Sequence, residues 1–521
     1  MNKPLGITDP FAAPGTFDTG ENQLRRILVV GGGTAGWITA VYLNRIVRPL
    51  GCQVVLVESA NIGTIGVGEA TIPSLVDFLR ILQLDETEFM RACSASFKLG
   101  IHFEGWLGEG VDYWHPFGRV GGRIAGIDLF HFWDLRRREG ASQLEYADYS
   151  AHVALARANK APWPIGATSA VHSQMSYAYH LDAGAFATYL KGIATREGVA
   201  HVFGDVQHTA LAPDGAIAHV DIGGDRRIEA DLFIDATGFS GLLIEKALGD
   251  KWIDWSNQML CDRAVAMPLP RSDTFAPYTR STALPGGWSW TIPLSTRTGN
   301  GYVYSSAHLT DEAAVETLVK RSGLAKARTA DPRFLKIRVG RRSQFWVKNC
   351  VAIGLSSGFV EPLESTGIHI IQAAAMALAH FLPDRRFDPA LRRAYNQRMD
   401  RTYHEVRDFI VLHYLLNRRA EPFWRESRAV PVSDNLSELL ELYDETGRLD
   451  TSRLDLFQPT SYYAILAGSG RLPRRPVVEA QTMPSTQNRH HLDGIRAENQ
   501  RFASKMPSHA DYLAHINKKA L

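Results

Sequence analysis

Cysteine is scarce in this sequence, and its few copies are not arranged for metal binding. Cys52, Cys93, Cys261 and Cys350 lie far apart, and none of the four belongs to a C-x-x-C or zinc-type pattern. Disulfide frameworks and zinc sites show characteristic cysteine spacings that are missing here. The pattern therefore predicts buried, reduced thiols in a cytoplasmic protein without a bound metal.

Long apolar runs and an excess of one charge are missing as well. No apolar run reaches the roughly 18 residues of a membrane-spanning helix, and residues 1–24 lack the apolar core of a signal peptide. With 57 Lys and Arg against 55 Asp and Glu, the net charge is only +2. This balance argues against nucleic-acid or membrane-surface binding through charge. We predict that residues 1–24 form a flexible extension.

A glycine-rich turn follows the first predicted strand. Residues 25–30 form a short apolar run, and Gly31-x-Gly33-x-x-Gly36 leads into a helical pattern. A second predicted strand begins at Gln53 and ends at Glu58. Such a βαβ unit offers glycine backbone and free helix N–H groups to a pyrophosphate, and its acid suits the ribose hydroxyls. The predicted dinucleotide contacts are Gly31, Gly33, Thr34, Ala35, Gly36 and Glu58; a tight structural turn is the alternative.

Two later strand ends favour FAD over NAD. Asp235-Ala-Thr-Gly238 and Val351-Ala-Ile-Gly354 each end an apolar run, as in flavoproteins of the glutathione-reductase type, so Gly238 and Gly354 join the predicted cofactor site. The second glycine pair, Gly468-Ser-Gly470, is followed by Arg-Leu-Pro rather than by a helix. No nicotinamide site is therefore predicted, and something else must reduce the flavin.

The remaining periodicity predicts further elements. An apolar residue every fourth position predicts a helix over 85–101, and alternation over 201–234 predicts a small antiparallel sheet that returns to the main sheet. A long helix is expected to start near Thr366. The segment 384–460 has helical spacing, whereas 471–491 is polar and proline-containing and is predicted to be a loop.

Four motifs occur in a familiar order: Gly31–Trp37, Gly66–Pro73, the W-x-W-x-I-P hexapeptide Trp288–Pro293, and Glu364–Gly367. Together they resemble the flavin-dependent halogenases of the tryptophan halogenase family, over about residues 25–468. The fold this implies is α/β. A Rossmann-like FAD module of the glutathione-reductase type spans 25–383, with substrate-lining insertions at about 100–165. Residues 384–521 form a mainly helical part of the substrate module.

The resemblance also implies a reaction. Reduced FAD from a separate flavin reductase, together with O₂, oxidises chloride or bromide to hypohalous acid, which moves through an internal passage to an aromatic substrate. Lys98 matches the lysine that directs the oxidant, and burial of its stem could lower its pKa; a solvated lysine is the alternative. Glu364 matches the acid that helps accept the ring proton, and otherwise caps a helix or pairs with a cation. The backbone at Thr366 and Gly367 matches the halide site.

Aromatic residues are expected to line the substrate site and the passage. Trp288 and Trp290 would face one side of a strand that Pro293 limits, whereas His115 and Phe117 match ring-stacking positions; all four could equally be core residues. Ile101 is placed with them in the lining.

The sequence departs from the family pattern before Tyr462-Tyr463. The paired Tyr and the Phe-Trp pair that hold free tryptophan are missing from residues 441–457. We therefore expect indole, or a larger indole or phenol compound, to be the substrate rather than free tryptophan. A flavin monooxygenase and a degenerate FAD-binding protein remain the alternatives, and neither the halide nor a homodimer can be decided from the sequence.

Overall fold

The structure is a computed structural model that describes residues 22–61, 68–140, 144–165, 175–271, 275–323, 331–452 and 455–518. Most of the predicted N-terminal extension and the first two residues of the Gly66–Pro73 motif lie outside these ranges. In the described part of the chain, no helix is both long and apolar enough to cross a bilayer. All four cysteines are buried and unbridged.

A six-stranded sheet forms the centre of the predicted dinucleotide-binding module. Its first five strands are parallel, and the sixth is antiparallel; the strand at the first edge, Ala200–Phe203, is partly exposed. The order across the sheet is Ala200–Phe203, Gln53–Glu58, Arg26–Val30, Leu232–Asp235, Cys350–Ala352 and Trp346–Val347. This confirms the α/β prediction and the return of the 201–234 region to the main sheet. It also brings the three predicted cofactor-binding strand ends to one edge.

A mixed eight-stranded sheet lies beside it and carries most of the predicted lining residues. Its strands run in the order Arg333–Lys336, Arg263–Ala266, Arg297–Tyr304, Gly287–Pro293, Thr279–Leu284, Gly100–Glu104 and Asp112–Pro116, with Leu269–Pro270 paired to Arg297–Tyr304. The predicted W-x-W-x-I-P strand is thus confirmed, and it ends at Pro293.

Four smaller sheets complete the strand structure. Three have three strands each: His208–Leu211, Ile217–Asp221 and Arg227–Glu229; Trp252–Asp254, Gly340–Arg342 and Gly358–Phe359; and Gly68–Ala70, Ala178–Asp182 and Ser96–Lys98. The fourth pairs Arg123–Ile124 with Ile127–Asp128.

Helices cover the sheets and make up most of the chain after residue 384. Those before this point are Thr34–Val47, Ser74–Ile81, Glu86–Ala92, Leu129–Arg138, Ala151–Arg157, Ala183–Arg196, Asp311–Ser322 and Gly367–His380. Those after it are Pro389–Leu416, Pro422–Arg428, Asp434–Thr446, Pro459–Gly468, Ser485–Lys505 and His509–Lys518. The helical character predicted for 384–460 is confirmed.

Two predicted elements were wrong in part. The helix expected over 85–101 ends at Ala92, and the chain continues as the strands Ser96–Lys98 and Gly100–Glu104. The four apolar side chains at four-residue spacing are all buried. They belong to the helix, the residue that follows it and the two strands, rather than to one long helix. The loop expected over 471–491 ends early because a helix begins at Ser485.

Candidate active site

The glycine turn forms an open cradle at the start of the helix Thr34–Val47. A Cβ atom at Gly36 would lie 1.8 Å from the Gly31 carbonyl oxygen, so this glycine is needed for close packing. Among the residues that the structure describes, a Cβ at Gly33 would meet nothing within 4 Å, and no side chain caps the helix there. The free N–H groups of Thr34 and Ala35 therefore border an open space, as a pyrophosphate requires.

The other two strand ends close on this cradle. Gly31 approaches the chain so closely that a Cβ there would lie 2.2 Å from the Ala236 carbonyl oxygen, just before Gly238. A Cβ at Gly354 would lie 2.6 Å from the Ala35 Cβ. Gly238 and Gly354 both have positive φ, 68° and 79°, which favours glycine. The predicted cofactor residues thus lie together at one end of the parallel sheet.

Glu58 ends its strand against the glycine turn. Its Oε1 lies 2.6 Å from Lys191 Nζ and 2.8 Å from His201 Nε2, and its other oxygen lies against Gly32. The carboxylate is therefore fixed beside the glycine turn. Its contact with ribose stays a prediction.

Four of the five predicted lining residues share one face of the eight-stranded sheet, and Phe117 follows its last strand. Opposed residues in paired strands point to the same face. Ile101 is opposite His115. Phe103, two residues after Ile101, is opposite Ser281, and Ser281 is opposite Trp290, so the same face extends across to Trp290. Residues two positions apart also share a face, so Trp288 and Trp290 belong to the same set. The rings of Trp288 and Trp290 lie 6.4 Å apart.

Lys98 is the last residue of the strand Ser96–Lys98, and its side chain extends toward the predicted lining residue Phe117. Its side chain is fully buried, and Nζ donates to the Thr71 carbonyl at 3.0 Å and to Ser365 Oγ at 2.7 Å. The ammonium also lies 4.9 Å from the centroid of the Phe117 ring. Burial lowers the pKa of Lys98 to about 7, although the charge of Glu364 opposes the shift.

Two histidines hold the carboxylate of Glu364. His115 Nδ1 lies 2.7 Å from Oε2, and His413 Nε2 lies 2.7 Å from Oε1, with all three side chains buried. Burial alone would raise the pKa of Glu364, but the two imidazoles outweigh it and lower the pKa to about 2. Glu364 is therefore an anion, ready to accept a proton or to stabilise a cation.

A tyrosine fixes the proton position on His413. The Tyr113 hydroxyl lies 2.9 Å from His413 Nδ1. Burial raises the pKa of Tyr113 well above its usual value and lowers the pKa of His413, so the phenol keeps its proton and the imidazole is neutral. Because the ionised Glu364 can only accept and its Oε1 lies 2.7 Å from Nε2, the imidazole hydrogen belongs on Nε2, and Nδ1 is left to accept from Tyr113.

The predicted halide position is the start of the helix Gly367–His380. Thr366 precedes the helix as predicted, but neither its side chain nor that of Ser365 caps it. Gly367 is exposed, and a Cβ there would meet none of the described residues within 4 Å. The first N–H groups of the helix therefore face open space beside Ser365, the residue that binds Lys98, and this arrangement suits an anion.

Sequence reasoning missed Glu361 and His413. The buried Glu361 accepts hydrogen bonds from Tyr414 Oη at 2.6 Å and from Trp288 Nε1 at 3.2 Å, and burial raises its pKa to about 7. An acid three residues before Glu364 was a signal that could have been used. His413 lies in a long helix, where nothing in the local sequence marks its role.

The chain is similar in sequence to known tryptophan halogenases over most of its length. A family model described as tryptophan halogenase matches residues 26–485. The tryptophan 7-halogenase RebH of Lentzea aerocolonigenes is 35% identical, with 95% of this chain and 99% of that protein covered.

Solved structures of flavin-dependent halogenases superpose closely on this chain. BrvH, a flavin-dependent halogenase from Brevundimonas sp. BAL3, superposes with a TM-score of 0.89 at 39% identity, covering 95% of this chain and 99% of that chain. Xcc4156, a flavin-dependent halogenase from Xanthomonas campestris, gives a TM-score of 0.89 at 37% identity, covering 95% and 98%.

Proposed function

The chain belongs to the tryptophan halogenase family, and from this premise we propose that it halogenates an electron-rich aromatic ring, that of indole or an indole derivative. The co-reactants are O₂, chloride or bromide, and reduced FAD from a separate flavin reductase. One observation carries the proposal: the buried Lys98 lies within hydrogen-bonding distance of Ser365. In the sequence, Ser365 stands between Glu364 and the open start of the helix Gly367–His380.

The reaction balances in two stages. Bound reduced FAD supplies two electrons, so that FADH₂, O₂, a halide ion and one proton give FAD, water and hypohalous acid. The aromatic C–H then reacts with hypohalous acid to give a carbon–halogen bond and water. The halide loses two electrons overall, and O₂ gains four.

Lys98 directs the second stage. Its amine can donate a hydrogen bond to hypohalous acid, or it can exchange a hydrogen for halogen and release water, forming a haloamine that is regenerated as the amine when the ring is attacked. A pKa of about 7 gives access to both the ammonium and the free amine near neutral pH. Burial keeps competing water away from the oxidant.

Glu364 completes the substitution. Halogen addition leaves a cationic ring, and an anion beside it stabilises that charge before accepting the ring proton. The two histidines keep the carboxylate ionised and oriented.

An uncharged substrate fits the described end of this site better than an amino acid does. Phe457 stacks on Phe409 at 3.7 Å between ring centroids, and its ring centroid lies 6.4 Å from that of His115. Its backbone N–H is fixed by Glu405 at 2.8 Å. The paired Tyr and the Phe-Trp pair that hold free tryptophan in the family are missing from residues 441–457, so we propose that tryptophan is a poor substrate.

The test uses the purified protein with a generic flavin reductase, FAD, O₂ and either halide, offered indole, tryptophan and a broader aromatic panel. Mass spectrometry should show a halide-dependent product from indole. We expect Lys98→Ala to lower this product by about 100-fold or more, whereas Lys320→Ala, an exposed lysine on the helix Asp311–Ser322, leaves it unchanged. FAD binding and circular dichroism check that both variants fold.

Two results would contradict the proposal. A hydroxylated product that persists without halide would identify a monooxygenase instead. Efficient tryptophan conversion with little indole turnover would refute the substrate assignment alone.

A further inference from the structure

We propose that His509, on the helix His509–Lys518, is a positioning residue that holds the strand carrying Lys98. The inference rests on the proposed function of Lys98, but the two residues are 411 positions apart in the sequence and meet only through the fold. It assigns a role to the C-terminal helix, which otherwise has none in the reaction.

The strand Ser96–Lys98 lies at the edge of its three-stranded sheet and pairs with Ala178–Asp182. Its open edge includes the backbone N–H of Phe97. This N–H donates to His509 Nε2 at 3.0 Å, and both residues are fully buried. An imidazole therefore takes the place that a neighbouring strand would occupy, because a buried N–H left without an acceptor is costly.

The orientation of His509 suits this task. Its Nδ1 lies 3.1 Å from the Phe275 carbonyl, so Nδ1 carries the hydrogen and Nε2 keeps the lone pair that accepts from Phe97. Burial lowers the pKa of His509 to about 4, so the imidazole stays neutral and can accept.

Anchoring the Phe97 backbone also fixes the backbone of its neighbour Lys98. Because successive side chains of a strand point to opposite faces, the lysine then points away from the Phe97 ring. The Phe97 ring lies in a cage of other rings, whereas Lys98 extends to the other side toward Thr71 and Ser365. The cage consists of Trp163, Tyr177, Tyr179, His509 and Tyr512. Ser96, on the same side as Lys98, donates to the carbonyl of Pro293 in the W-x-W-x-I-P strand.

The helix that provides His509 is itself tied to the body of the protein. The His509 N–H donates to the Asn159 carbonyl at 2.8 Å, and Trp163 Nε1 donates to Tyr512 Oη at 2.7 Å. Arg91 Nε reaches the Ile516 carbonyl at 2.8 Å. These contacts hold the helix that carries His509 in place. The position matters because displacement of a catalytic group by about 1 Å can lower a rate by about 100-fold.

The experiment uses the full-length protein with flavin reductase, FAD, O₂ and bromide, and it measures two products. One is brominated indole, which requires Lys98 in place. The other is bromination of monochlorodimedone, a small trap for hypobromous acid that escapes from the site. Because only transfer to the ring depends on the lysine, a displaced Lys98 lowers the first product and spares or raises the second.

Four variants give a matched set. His509→Leu removes both hydrogen bonds, and His509→Asn keeps a polar side chain that is too short to span both partners. His509→Gln can accept and donate as histidine does. His515→Leu makes the same exchange in the same helix, at a side chain only partly buried.

We expect His509→Leu and His509→Asn to lower indole bromination by about tenfold or more while trap bromination persists. His509→Gln should restore most of the indole product, and His515→Leu should match the wild type. If His509→Leu does not fold, the comparison of Asn with Gln decides. Unchanged indole bromination in His509→Asn, or an equal loss of both products, would overturn the proposal. Wild-type product from Lys98→Ala would instead refute the proposed function.

Discussion

At the residue scale, the charge state of Lys98 has a consequence for stability as well as for chemistry. Burial lowers its pKa from 10.5 to about 7, so between these values the unfolded chain binds one proton more than the folded chain. Stability then rises with pH by up to about 1.4 kcal/mol per pH unit and is flat below about pH 7. Lys98→Met removes this slope.

Urea unfolding of the wild type and of Lys98→Met at several pH values from 6 to 9.5 measures the effect. The difference in the free energy of unfolding should change in favour of the wild type above pH 7. A difference that does not vary with pH would mean that Lys98 is solvated in the folded protein.

The hydroxyl of Tyr113 should matter for activity through its contact with His413. Tyr113→Phe removes the donor to His413 Nδ1, so the imidazole can move its hydrogen to Nδ1 and present a lone pair to Glu364. We expect about a tenfold fall in kcat for halogenation, equivalent to about 1.4 kcal/mol. A rise in the apparent pKa of Glu364 should appear in the pH–rate profile.

Tyr395→Phe is the control for this variant. Tyr395 is also fully buried, but its hydroxyl has no hydrogen-bond partner among the residues that the structure describes. Its removal should leave kcat unchanged and cost no stability. Equal effects of the two substitutions would show that the Tyr113 hydroxyl serves packing alone.

At the scale of single elements, the glycine turn separates binding from folding. Gly33 has ordinary φ and free space at its Cβ position, whereas a Cβ at Gly36 would lie 1.8 Å from the Gly31 carbonyl oxygen. Gly33→Ala should therefore keep its melting temperature without FAD and lose FAD affinity by about tenfold, or about 1.4 kcal/mol. Gly36→Ala should melt at a lower temperature even without FAD.

Thermal melts and FAD titrations of the two variants test this prediction. Unchanged FAD affinity in Gly33→Ala would contradict the position assigned to the pyrophosphate.

The same scale shows what local sequence can predict. The βαβ unit, the W-x-W-x-I-P strand and the helix after Glu364 were predicted because each has a local period or a punctuating residue. The segment after Ala92 was assigned wrongly because Phe97 and Ile101 continue a four-residue spacing, while the strand pairing that determines their structure comes from distant residues. His413, Glu361 and His509 were missed for the same reason: their partners are far away in the sequence.

At the scale of the whole molecule, one buried apolar cluster crosses the predicted module boundary at residues 383–384. It runs from Leu24 to Ile516 and includes Trp37 of the FAD module, Phe97 beside Lys98, and Phe409 of the helical part. Neither part can bury these surfaces alone, and apolar burial is the main source of stability. We therefore expect the two predicted modules to unfold together.

Calorimetry and fragment expression test this last expectation. The full chain should show one transition whose calorimetric and van't Hoff enthalpies agree, and FAD at about 100 times its Kd should stabilise the whole by about 2.7 kcal/mol. A fragment 384–521 should be unfolded by circular dichroism, since Phe409, Tyr414 and Ile516 would lose their partners on the sheets and helices before residue 384. Two separate transitions, with only the first shifted by FAD, would instead mean that the helical part folds independently. The position of Lys98 would then depend on docking of its C-terminal helix rather than on a shared core.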